Sequence, residues 1–388
     1  MTMSVKQIMI VAGEASGDLH GANLIEAVTR LSPATRFFGV GGRRMAAAGC
    51  DILIPGEELA VMGVVEVVGH FPAIWRSFQK LKGVLKGARK PDALVLIDFP
   101  DFNLRLAKHA KRAGVPVLYY VSPQVWAWRR GRVKKIAGVV DSLAAIFPFE
   151  PAYYEGLNIL VKYVGHPLLD EFAKDEERDD LRQQLAIPAE KKVVGLFPGS
   201  RRNELCYMLE TLVAAADIIR GRDPNVHFLV PIADTLTMAE VAAKFTQGLP
   251  VSFVESCQAS IYEIARSCDT VLSVSGTVTL QVALSETPMA IFYKLSPLSY
   301  AIGKCLVRVK HFGLPNIVAE EHIVPEFLQE LATAPVLAEE ALHVLNDQRY
   351  AEAMRVGLRR MKNKLGDPGC SHRVAKMLLD MIRRQQPA

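Results

Sequence analysis

The chain has 388 residues, of which 46 are basic and 41 acidic, so its formal net charge is +5. Half of the residues are apolar, which supplies enough side chains for more than one core and excludes a disordered chain. The basic excess is too mild for a dedicated nucleic-acid-binding protein, although it allows a local basic surface.

The six cysteines indicate a reducing compartment, because none forms a Cys-x-x-Cys pair and no Cys/His cluster has zinc-finger spacing. No apolar run of about 18 residues is free of charge. The start of the chain, Met1–Ile10, is too short and wrongly flanked for a signal peptide. We therefore expect a cytoplasmic protein without a transmembrane helix, and without a cofactor or metal ion.

Short β-branched runs alternate with helical segments along the whole chain. The strands predicted in the first half are Ile8–Ala12, Phe37–Val40, Leu94–Asp98, Val115–Val121 and Leu143–Phe147. Those predicted in the second half are Lys192–Phe197, Val226–Val230, Val251–Phe253, Thr270–Ser273 and Met289–Phe292. Such alternation builds parallel sheets with crossover helices.

The fold class is therefore α/β, with two Rossmann-like domains facing across a cleft. We expect the first domain over 1–165 and the second over 166–347. The helices of 348–388 have no strand partner and are predicted to cross back to the first domain. Open α/β sheets bind ligands at the carboxyl ends of their strands, so candidate chemistry is sought there.

The turn after the first strand carries Gly13, Glu14, Ser16, Gly17 and Asp18. It is neither a Walker A loop nor a Gly-x-Gly-x-x-Gly turn. One interpretation is a tight turn in which Ser16 or Asp18 caps the following helix. The other is a ligand contact, because loops at this place commonly bind. The two are compatible.

Asp98 ends an apolar strand of the first domain. A carboxylate at this place can act as general base on a substrate hydroxyl. The alternative is a strand-end carboxylate that binds nearby amides. Asp101 follows Pro100 at a helix start and suits a cap better than chemistry.

The first strand-to-helix turn of the second domain contains Ser200 and Arg201. Backbone N–H groups at a helix start attract phosphate, and an arginine adds charge-assisted hydrogen bonds. The alternative is an ordinary turn with solvated arginines.

A second turn of this kind contains Ser275, Gly276 and Thr277, whose hydroxyls and amides suit a diphosphate. Gln281 lies one helical turn further and can reach a sugar hydroxyl beside it. The alternative is a close helix–strand contact that needs the glycine.

The segment Phe71–Lys90 has apolar residues at helical spacing and bases of a single sign. Valines at 64, 65, 67 and 68 precede it. A basic amphipathic helix with aromatic residues can lie in a membrane interface. The alternative is a helix packed on the core with a solvated basic face.

Aromatic and basic residues also alternate around Trp126 and Arg129. They could stack on nucleic acid or hold an acceptor phosphate, and buried tryptophans are the alternative. His20 and His166 are interpreted as satisfied structural histidines.

Seven segments together resemble the lipid A disaccharide synthase family, bacterial glycosyltransferases of the GT-B architecture. They are Val11–Asp18, Leu59–Gly63, Ile97–Asn103, Val121–Arg129, Pro198–Arg201, Ser275–Thr277 and Leu314–Asn316. The segments occur in the family's order and cover nearly the whole chain.

The resemblance implies that UDP-2,3-diacylglucosamine and 2,3-diacylglucosamine 1-phosphate give a β-1′,6-linked disaccharide and UDP, without a metal. Inversion by one displacement needs a single base, and Asp98 matches the family's proposed base. Arg201, Asn316 and position 281 match its donor-binding positions. Gln281 stands where the family pattern has Glu, which puts the strength of donor binding in question.

Three sets of residues complete the prediction. The donor set is Ser200, Arg201, Ser275, Gly276, Thr277, Gln281 and Asn316. The cleft loops and candidate acceptor contacts are Gly13, Glu14, Ser16, Gly17, Asp18, Asn103, Ser122, Trp126 and Arg129. The membrane-facing set is Val67, Val68, Phe71, Ile74, Trp75, Phe78 and Met208.

Both implied substrates carry acyl chains, so we expect peripheral association with the inner face of the cytoplasmic membrane. That would also explain a mean hydropathy of +0.16. A homodimer through exchange of the C-terminal helices is a further expectation, and no nucleic-acid partner is expected. The competing interpretations are a UDP-N-acetylglucosamine 2-epimerase and a non-catalytic peripheral protein that binds lipid or nucleotide.

Overall fold

The structure is a computed structural model that describes residues 5–59, 64–123, 125–126, 131–175, 181–199, 202–233, 235–295 and 310–384, with side chains at all of these positions except 15, 64–71 and 202–207. The chain divides into two compact units. The first comprises Met1–Asp170 and Asp367–Ala388, and the second comprises Glu171–Gly366.

A seven-stranded parallel sheet forms the centre of the first unit, in the order β3-β2-β1-β4-β5-β6-β7. The strands are β1 Gln7–Ala12, β2 Arg36–Gly41, β3 Cys50–Pro55, β4 Ala93–Ile97, β5 Val117–Tyr120, β6 Ser142–Ala145 and β7 Leu160–Tyr163. The chain builds outward from β1 in one direction and then from β4 in the other. The strand order therefore reverses between β1 and β4, which is where such sheets bind ligands.

Helices cover both faces of this sheet. They are α1 Ala15–Leu31, α2 Arg43–Ala47, α3 Val64–Val84, α4 Pro100–Arg112, α5 Arg132–Ala137 and, at the end of the chain, α15 Cys370–Arg383. Side chains of α3, α4 and α5 share one core with Tyr119 of β5. Helices α1 and α15 pack against each other, and α15 reaches the other face at Tyr120.

The second unit contains a six-stranded parallel sheet in the order β10-β9-β8-β11-β12-β13. Its strands are β8 Lys192–Phe197, β9 Val226–Ile232, β10 Val251–Glu255, β11 Thr270–Val274, β12 Met289–Tyr293 and β13 Glu326–Leu328. The order reverses between β8 and β11.

The helices after β7 are α6 Pro167–Asp175, α7 Leu181–Gln184, α8 Arg202–Arg222, α9 Met238–Ala242, α10 Ile261–Arg266, α11 Thr277–Leu284, α12 Leu314–Ala319, α13 Ala334–Asn346 and α14 Gln348–Lys364. Helices α8 and α13 share the core on one face of the second sheet. Helix α6 spans the boundary between the two units.

Three strands were missing from the prediction: β3, β7 and β13. Strand β3 contains an exposed Asp51, β7 has exposed or half-buried residues throughout, and β13 has three residues. All three are edge strands, where only one side is paired and the apolar signal is weak. The elements that periodicity misses are therefore edge strands.

The C-terminal helices divide between the units. Cys370–Arg383 joins the first unit, but Gln348–Lys364 packs on α11, α12 and α13 of the second. The predicted return of 348–388 is corrected to the last helix, because the apolar face of α14, with Ala351, Met354, Leu358 and Met361, is buried in the second unit.

The membrane-facing prediction also needs correction. Met208 is fully buried in the core of the second unit, so it contributes no exposed apolar surface. In α3, Ile74 and Phe78 pack partly against the core of the first unit, whereas Trp75 is 54% exposed. The side chains of Val67, Val68 and Phe71 lie outside the described residues. None of the helices in the described ranges is long and apolar enough to cross a bilayer.

Candidate active site

The strand-order reversal of the first unit brings two predicted segments together. Ala12 of β1 pairs with Ile97 of β4, so Gly13 and Asp98 leave the sheet side by side at its carboxyl edge. A Cβ on Gly13 would lie 2.9 Å from Cδ1 of Phe99, which explains the glycine at this position. The turn of residues 13–18 and the Asp98 segment therefore form one candidate site.

Asp98 and Phe99 both adopt the left-handed backbone conformation, with φ of +46° and +47°. Each such non-glycine residue costs roughly 1–3 kcal/mol unless its surroundings hold it. The carbonyl oxygen of Asp98 accepts hydrogen bonds from Nδ2 of Asn103 at 2.8 Å and from the Tyr119 hydroxyl at 2.5 Å. The amide of Asp98 donates to the carbonyl of Tyr120 at 3.1 Å. The neighbouring strand and helix thus hold the strained turn.

Burial and a second carboxylate oppose the ionisation of Asp98. Together, desolvation and the charge of Glu14 raise its pKa from 3.8 to about 6, against a smaller lowering by the Phe99 amide. A base whose pKa lies near the working pH is effective, because it is ionised and still accepts a proton readily. Asp98 therefore has the electrostatic character of a general base.

The other residues of the first turn have different surroundings. Both carboxylate oxygens of Asp18 accept amide hydrogen bonds from Gly42, Arg44 and Met45, at 2.6 to 3.1 Å. Asp18 therefore caps the start of α2 instead of its own helix, and it is not free to contact an acceptor. A Cβ on Gly17 would lie 3.2 Å from Cβ of Ala12. Ser16 is exposed, and half-buried Glu14 precedes α1 without capping it through its side chain.

Ser122 and Trp126 are buried core residues of the first unit. The Ser122 hydroxyl contacts the Tyr154 hydroxyl at 3.2 Å, and Trp126 packs edge-to-face on Phe147 and Phe149. With 6% of its surface exposed, Trp126 cannot stack on a nucleic acid or contact an acceptor here. Arg129 lies outside the described residues.

Glu150 directly follows Phe149 of this aromatic cluster. Its carboxylate accepts hydrogen bonds from the amides of Ile146 and Phe147 at 2.9 and 3.0 Å. Burial nevertheless raises the pKa of Glu150 to about 7.

Both histidines are buried. Burial lowers the pKa of His20 to about 4 and that of His166 to about 3, so both rings are neutral at physiological pH. The Nδ1 atom of His166 accepts a hydrogen bond from the Leu168 amide at 3.2 Å.

The second unit repeats this arrangement at β8 and β11. Phe197 pairs with Ser273, so the turns that follow the two strands lie next to each other at the carboxyl edge. Gly199 has a φ of +91°, and the next two residues, Ser200 and Arg201, lie outside the described residues. The Ser275 hydroxyl donates to the carbonyl of Phe312 at 3.3 Å. Gly276 and Thr277 are exposed at the start of α11.

Gln281 is half-buried on α11 and hydrogen-bonds Tyr262. That bond opposes the effect of burial, which still raises the pKa of Tyr262 far above its usual value. In this arrangement the Gln281 side chain is held by a protein partner.

Asn316 has a structural role that the sequence did not predict. Its side chain is fully buried, and Nδ2 donates to the carbonyl of Val324 and to Glu326 at 2.8 and 2.7 Å. Its Oδ1 accepts from the amides of Ile323 and Val324 at 2.8 and 3.0 Å. All four hydrogen-bonding positions of the amide are used. The predicted contact of Asn316 with the donor substrate is therefore corrected to a role in positioning its neighbours.

Glu326 is the functional candidate that the sequence analysis missed. Its buried carboxylate accepts hydrogen bonds from the amides of Phe312 and Gly313, both at 3.0 Å, as well as from Asn316. It therefore fixes the segment whose Phe312 carbonyl holds Ser275. The available signal was an acidic residue inside the apolar run Ile323–Leu328, which is unusual unless the charge is paired or hydrogen-bonded.

A cavity of about 170 Å³ in the first unit lies elsewhere. It is lined by Ser142 and Leu160, the first residues of β6 and β7, and by side chains of α15. Because the strands are parallel, this is the edge opposite Asp98. Within the described ranges, no group of three or more His, Cys, Asp or Glu residues could hold a metal ion.

Comparisons with known sequences give a consistent result. A family profile described as lipid-A-disaccharide synthetase matches residues 8–378. A lipid-A-disaccharide synthase of Syntrophotalea carbinolica is 57% identical over 379 residues, 97% of this chain and 96% of that protein. One of Geobacter metallireducens is 47% identical over 382 residues, 98% of each.

Solved structures share the fold at low sequence identity. The calicheamicin glycosyltransferase CalG4 has a TM-score of 0.63 at 14% identity and covers 99% of this chain and 100% of its own. The UDP-GlcNAc 2-epimerase of Neisseria meningitidis, bound to UDP-GlcNAc, has a TM-score of 0.65 at 12% identity, covering 97% and 100%. These likenesses establish the fold of two Rossmann-like domains, which glycosyltransferases and epimerases share.

Proposed function

The chain belongs to the lipid-A-disaccharide synthase family, and we propose that Asp98 is the general base of its glycosyl transfer. Membership makes the chain a glycosyltransferase of lipid A synthesis that binds a sugar-nucleotide donor. The observation that carries the proposal is the place of Asp98, at the carboxyl end of β4 beside the turn after β1, with its pKa raised to about 6.

The proposed donor is UDP-2,3-diacylglucosamine and the proposed acceptor is 2,3-diacylglucosamine 1-phosphate. The Asp98 carboxylate takes the proton of the acceptor 6-hydroxyl as that oxygen attacks C1 of the donor sugar. The bond from C1 to the diphosphate breaks, and UDP leaves with the electron pair. One displacement inverts the configuration, so an α-linked donor gives a β-1′,6-linked disaccharide.

The second unit is proposed to hold the donor. Gly276 and Thr277 are exposed at the start of the eight-residue helix α11, where free amides attract a diphosphate. These donors stabilise the departing diphosphate without requiring a metal ion. Ser200 and Arg201 are assigned to the same diphosphate from the family resemblance. Gln281 would reach the neighbouring sugar by exchanging its bond to Tyr262.

The enzyme is proposed to work at the inner face of the cytoplasmic membrane, because both substrates carry acyl chains. The supporting observation is Trp75, which is 54% exposed on α3 next to the exposed Arg76. An exposed tryptophan beside a basic residue suits an anionic interface. A homodimer remains a prediction, which sedimentation analysis of the full chain would test. The prediction assumed that the C-terminal helices have no partner, whereas α15 packs on α1 of the same chain.

The decisive experiment compares wild type, Asp98→Asn and Asp101→Asn in detergent micelles with the diacylated donor and acceptor. Asp101 is the matched control, because its side chain is 74% exposed and paired with Arg132. UDP release and product mass are followed together. We expect wild type and Asp101→Asn to form disaccharide 1-phosphate. We expect the rate of product formation to fall at least a hundredfold in Asp98→Asn. If Asp98→Asn forms as much product as wild type, the assignment of Asp98 as base is wrong. If UDP is released without disaccharide, the proposed acceptor is wrong.

A further inference from the structure

The carbonyl oxygen of Asp98 is held by two side chains from different elements. The hydroxyl of Tyr119, on β5, donates to it at 2.5 Å, and Nδ2 of Asn103, on α4, donates at 2.8 Å. Nδ2 of Asn103 also reaches the carbonyl of Ile97 at 3.2 Å. Both side chains are fully buried. These hydrogen bonds hold the backbone of the proposed base and not its carboxyl group.

These hydrogen bonds matter because the peptide that they hold has left the sheet. Asp98 and Phe99 are consecutive left-handed residues, a conformation that persists only when the surroundings enforce it. Rotation of the Asp98 peptide would turn its Cα–Cβ bond and move the carboxylate. Burial raises the pKa of Tyr119 well above 10, so its hydroxyl keeps the proton that it donates.

We propose that Tyr119 is a positioning residue for the glycosyl transfer: with Asn103 it fixes the Asp98 carbonyl and thereby aims the Asp98 carboxylate at the acceptor hydroxyl. The inference rests on the proposed role of Asp98 as base. Misplacing a reacting group by a fraction of an ångström to one ångström lowers the rate of the chemical step without weakening substrate binding.

The adjacent residue supplies a matched control. Tyr120 is also fully buried on β5, but it lies on the other face of the sheet, where its hydroxyl is 3.3 Å from Sγ of Cys370. Tyr119→Phe and Tyr120→Phe each remove one buried hydroxyl from the same strand. A purely structural contribution would therefore be similar in the two variants.

The experiment measures kcat and both KM values for wild type, Tyr119→Phe, Tyr120→Phe, Asp98→Asn and the double variant Tyr119→Phe/Asp98→Asn. Assays run at pH 8, where Asp98 is ionised. We expect Tyr119→Phe to lower kcat about tenfold, which corresponds to about 1.4 kcal/mol, with both KM values within about twofold of wild type. Tyr120→Phe is expected to keep kcat within about twofold. In the Asp98→Asn background, Tyr119→Phe should cause no further loss.

Three outcomes overturn the proposal: wild-type kcat in Tyr119→Phe, an equal loss in Tyr120→Phe, or an independent further loss in the double variant. Wild-type kcat in Asp98→Asn is a separate result and overturns the base assignment itself. Thermal melting checks that each variant is folded. If Tyr119→Phe does not fold, Asn103→Asp tests the same contact, because it keeps the shape but replaces the donor with an acceptor. It must then lower kcat without changing either KM.

Discussion

Asp98, the proposed base, lies at a site that is unfavourable for its charge. The pKa of the Asp98 carboxyl is about 6 in the folded chain, whereas the ordinary value for an exposed aspartate is 3.8. Two pKa units correspond to about 3 kcal/mol. Because the folded state holds the proton more tightly than the unfolded state, stability falls as pH rises from about 4 to about 6 and the cost is complete above that range. The active site is therefore expected to reduce stability.

Replacing Asp98 should reverse this cost. Asp98→Asn is expected to raise the free energy of unfolding at pH 8 by up to about 3 kcal/mol and to have little effect near pH 4. Denaturant unfolding followed by tryptophan fluorescence measures this well, because Trp75, Trp126 and Trp128 all belong to the first unit. Asp101→Asn is the control. A destabilised Asp98→Asn at pH 8 would contradict the prediction.

The pH dependence of activity follows from the same shift. We expect kcat/KM to rise about tenfold per pH unit below about pH 6 and to level off above it, since only ionised Asp98 accepts the proton. Glu14→Gln removes the like charge that helps to raise this pKa, so the midpoint should move to lower pH. An unchanged midpoint in Glu14→Gln, or an equal shift in Asp101→Asn, would contradict the assignment.

At the scale of secondary-structure elements, Glu326 connects β13 to the turn before α11. It fixes the amides of Phe312 and Gly313, and the carbonyl of Phe312 holds the Ser275 hydroxyl. Removing the carboxylate should loosen the proposed diphosphate site without touching it.

We therefore expect Glu326→Gln to weaken UDP binding about five- to tenfold, which corresponds to the loss of about one hydrogen bond. Titration calorimetry with UDP measures this. Asp269→Asn is the matched control, since that carboxylate accepts the Val193 amide at 2.7 Å just before β11, at the opposite end of the strand from Ser275. The prediction fails if both variants bind UDP equally well.

Helix α3 carries the proposed membrane contact. Trp75→Ala should lower partitioning onto vesicles that contain anionic lipid at least about tenfold, because moving a large apolar side chain out of water contributes roughly 1.5–3 kcal/mol. Cosedimentation at low and high salt separates the apolar contribution from the screened charges. Leu331→Ala is the control, since Leu331 is 60% exposed in the second unit. Unchanged binding of Trp75→Ala would show that the contact lies elsewhere.

At the scale of the whole molecule, the chain ends in the unit where it began. Asp170 accepts hydrogen bonds from the amides of Gly369, Cys370 and Ser371, so it caps the start of α15. Nε of Arg373 donates to the carbonyl of Val164 at 2.7 Å. The stability of the first unit therefore depends on residues about 200 positions apart.

Asp170→Ala should destabilise the first unit by about 1–2 kcal/mol, the usual cost of losing a helix cap. Hydrogen exchange by peptide should show faster exchange in α1 and α15 and no change in β8 and β11, which belong to the second unit. Asp380→Ala, on the exposed side of α15, is the control. Equal loss of protection in both units would contradict the prediction that only the first unit is destabilised.

The sequence determined the local elements and the positions of the turns. Apolar runs predicted every described strand except β3, β7 and β13, because these patterns depend on near neighbours in the chain. Asp98 was a candidate from the sequence because a carboxylate directly after an apolar strand falls at the edge where parallel sheets bind, and its role as base stays a prediction. The motifs also identified the family, which the comparisons confirm.

Only the tertiary structure decided what each side chain contacts. Asp18 lies in a motif, yet it caps a helix that begins 25 residues later. The Asn316 amide is fully hydrogen-bonded to the segment that follows its helix, Met208 lies in a core, and α14 stays with the second unit. Tyr119 had no local signature as a positioning residue, and the acidic Glu326 inside an apolar run did not show which groups it holds. Their proposed roles follow from strand order and from which face a helix covers, and these depend on contacts between residues that are distant in the sequence.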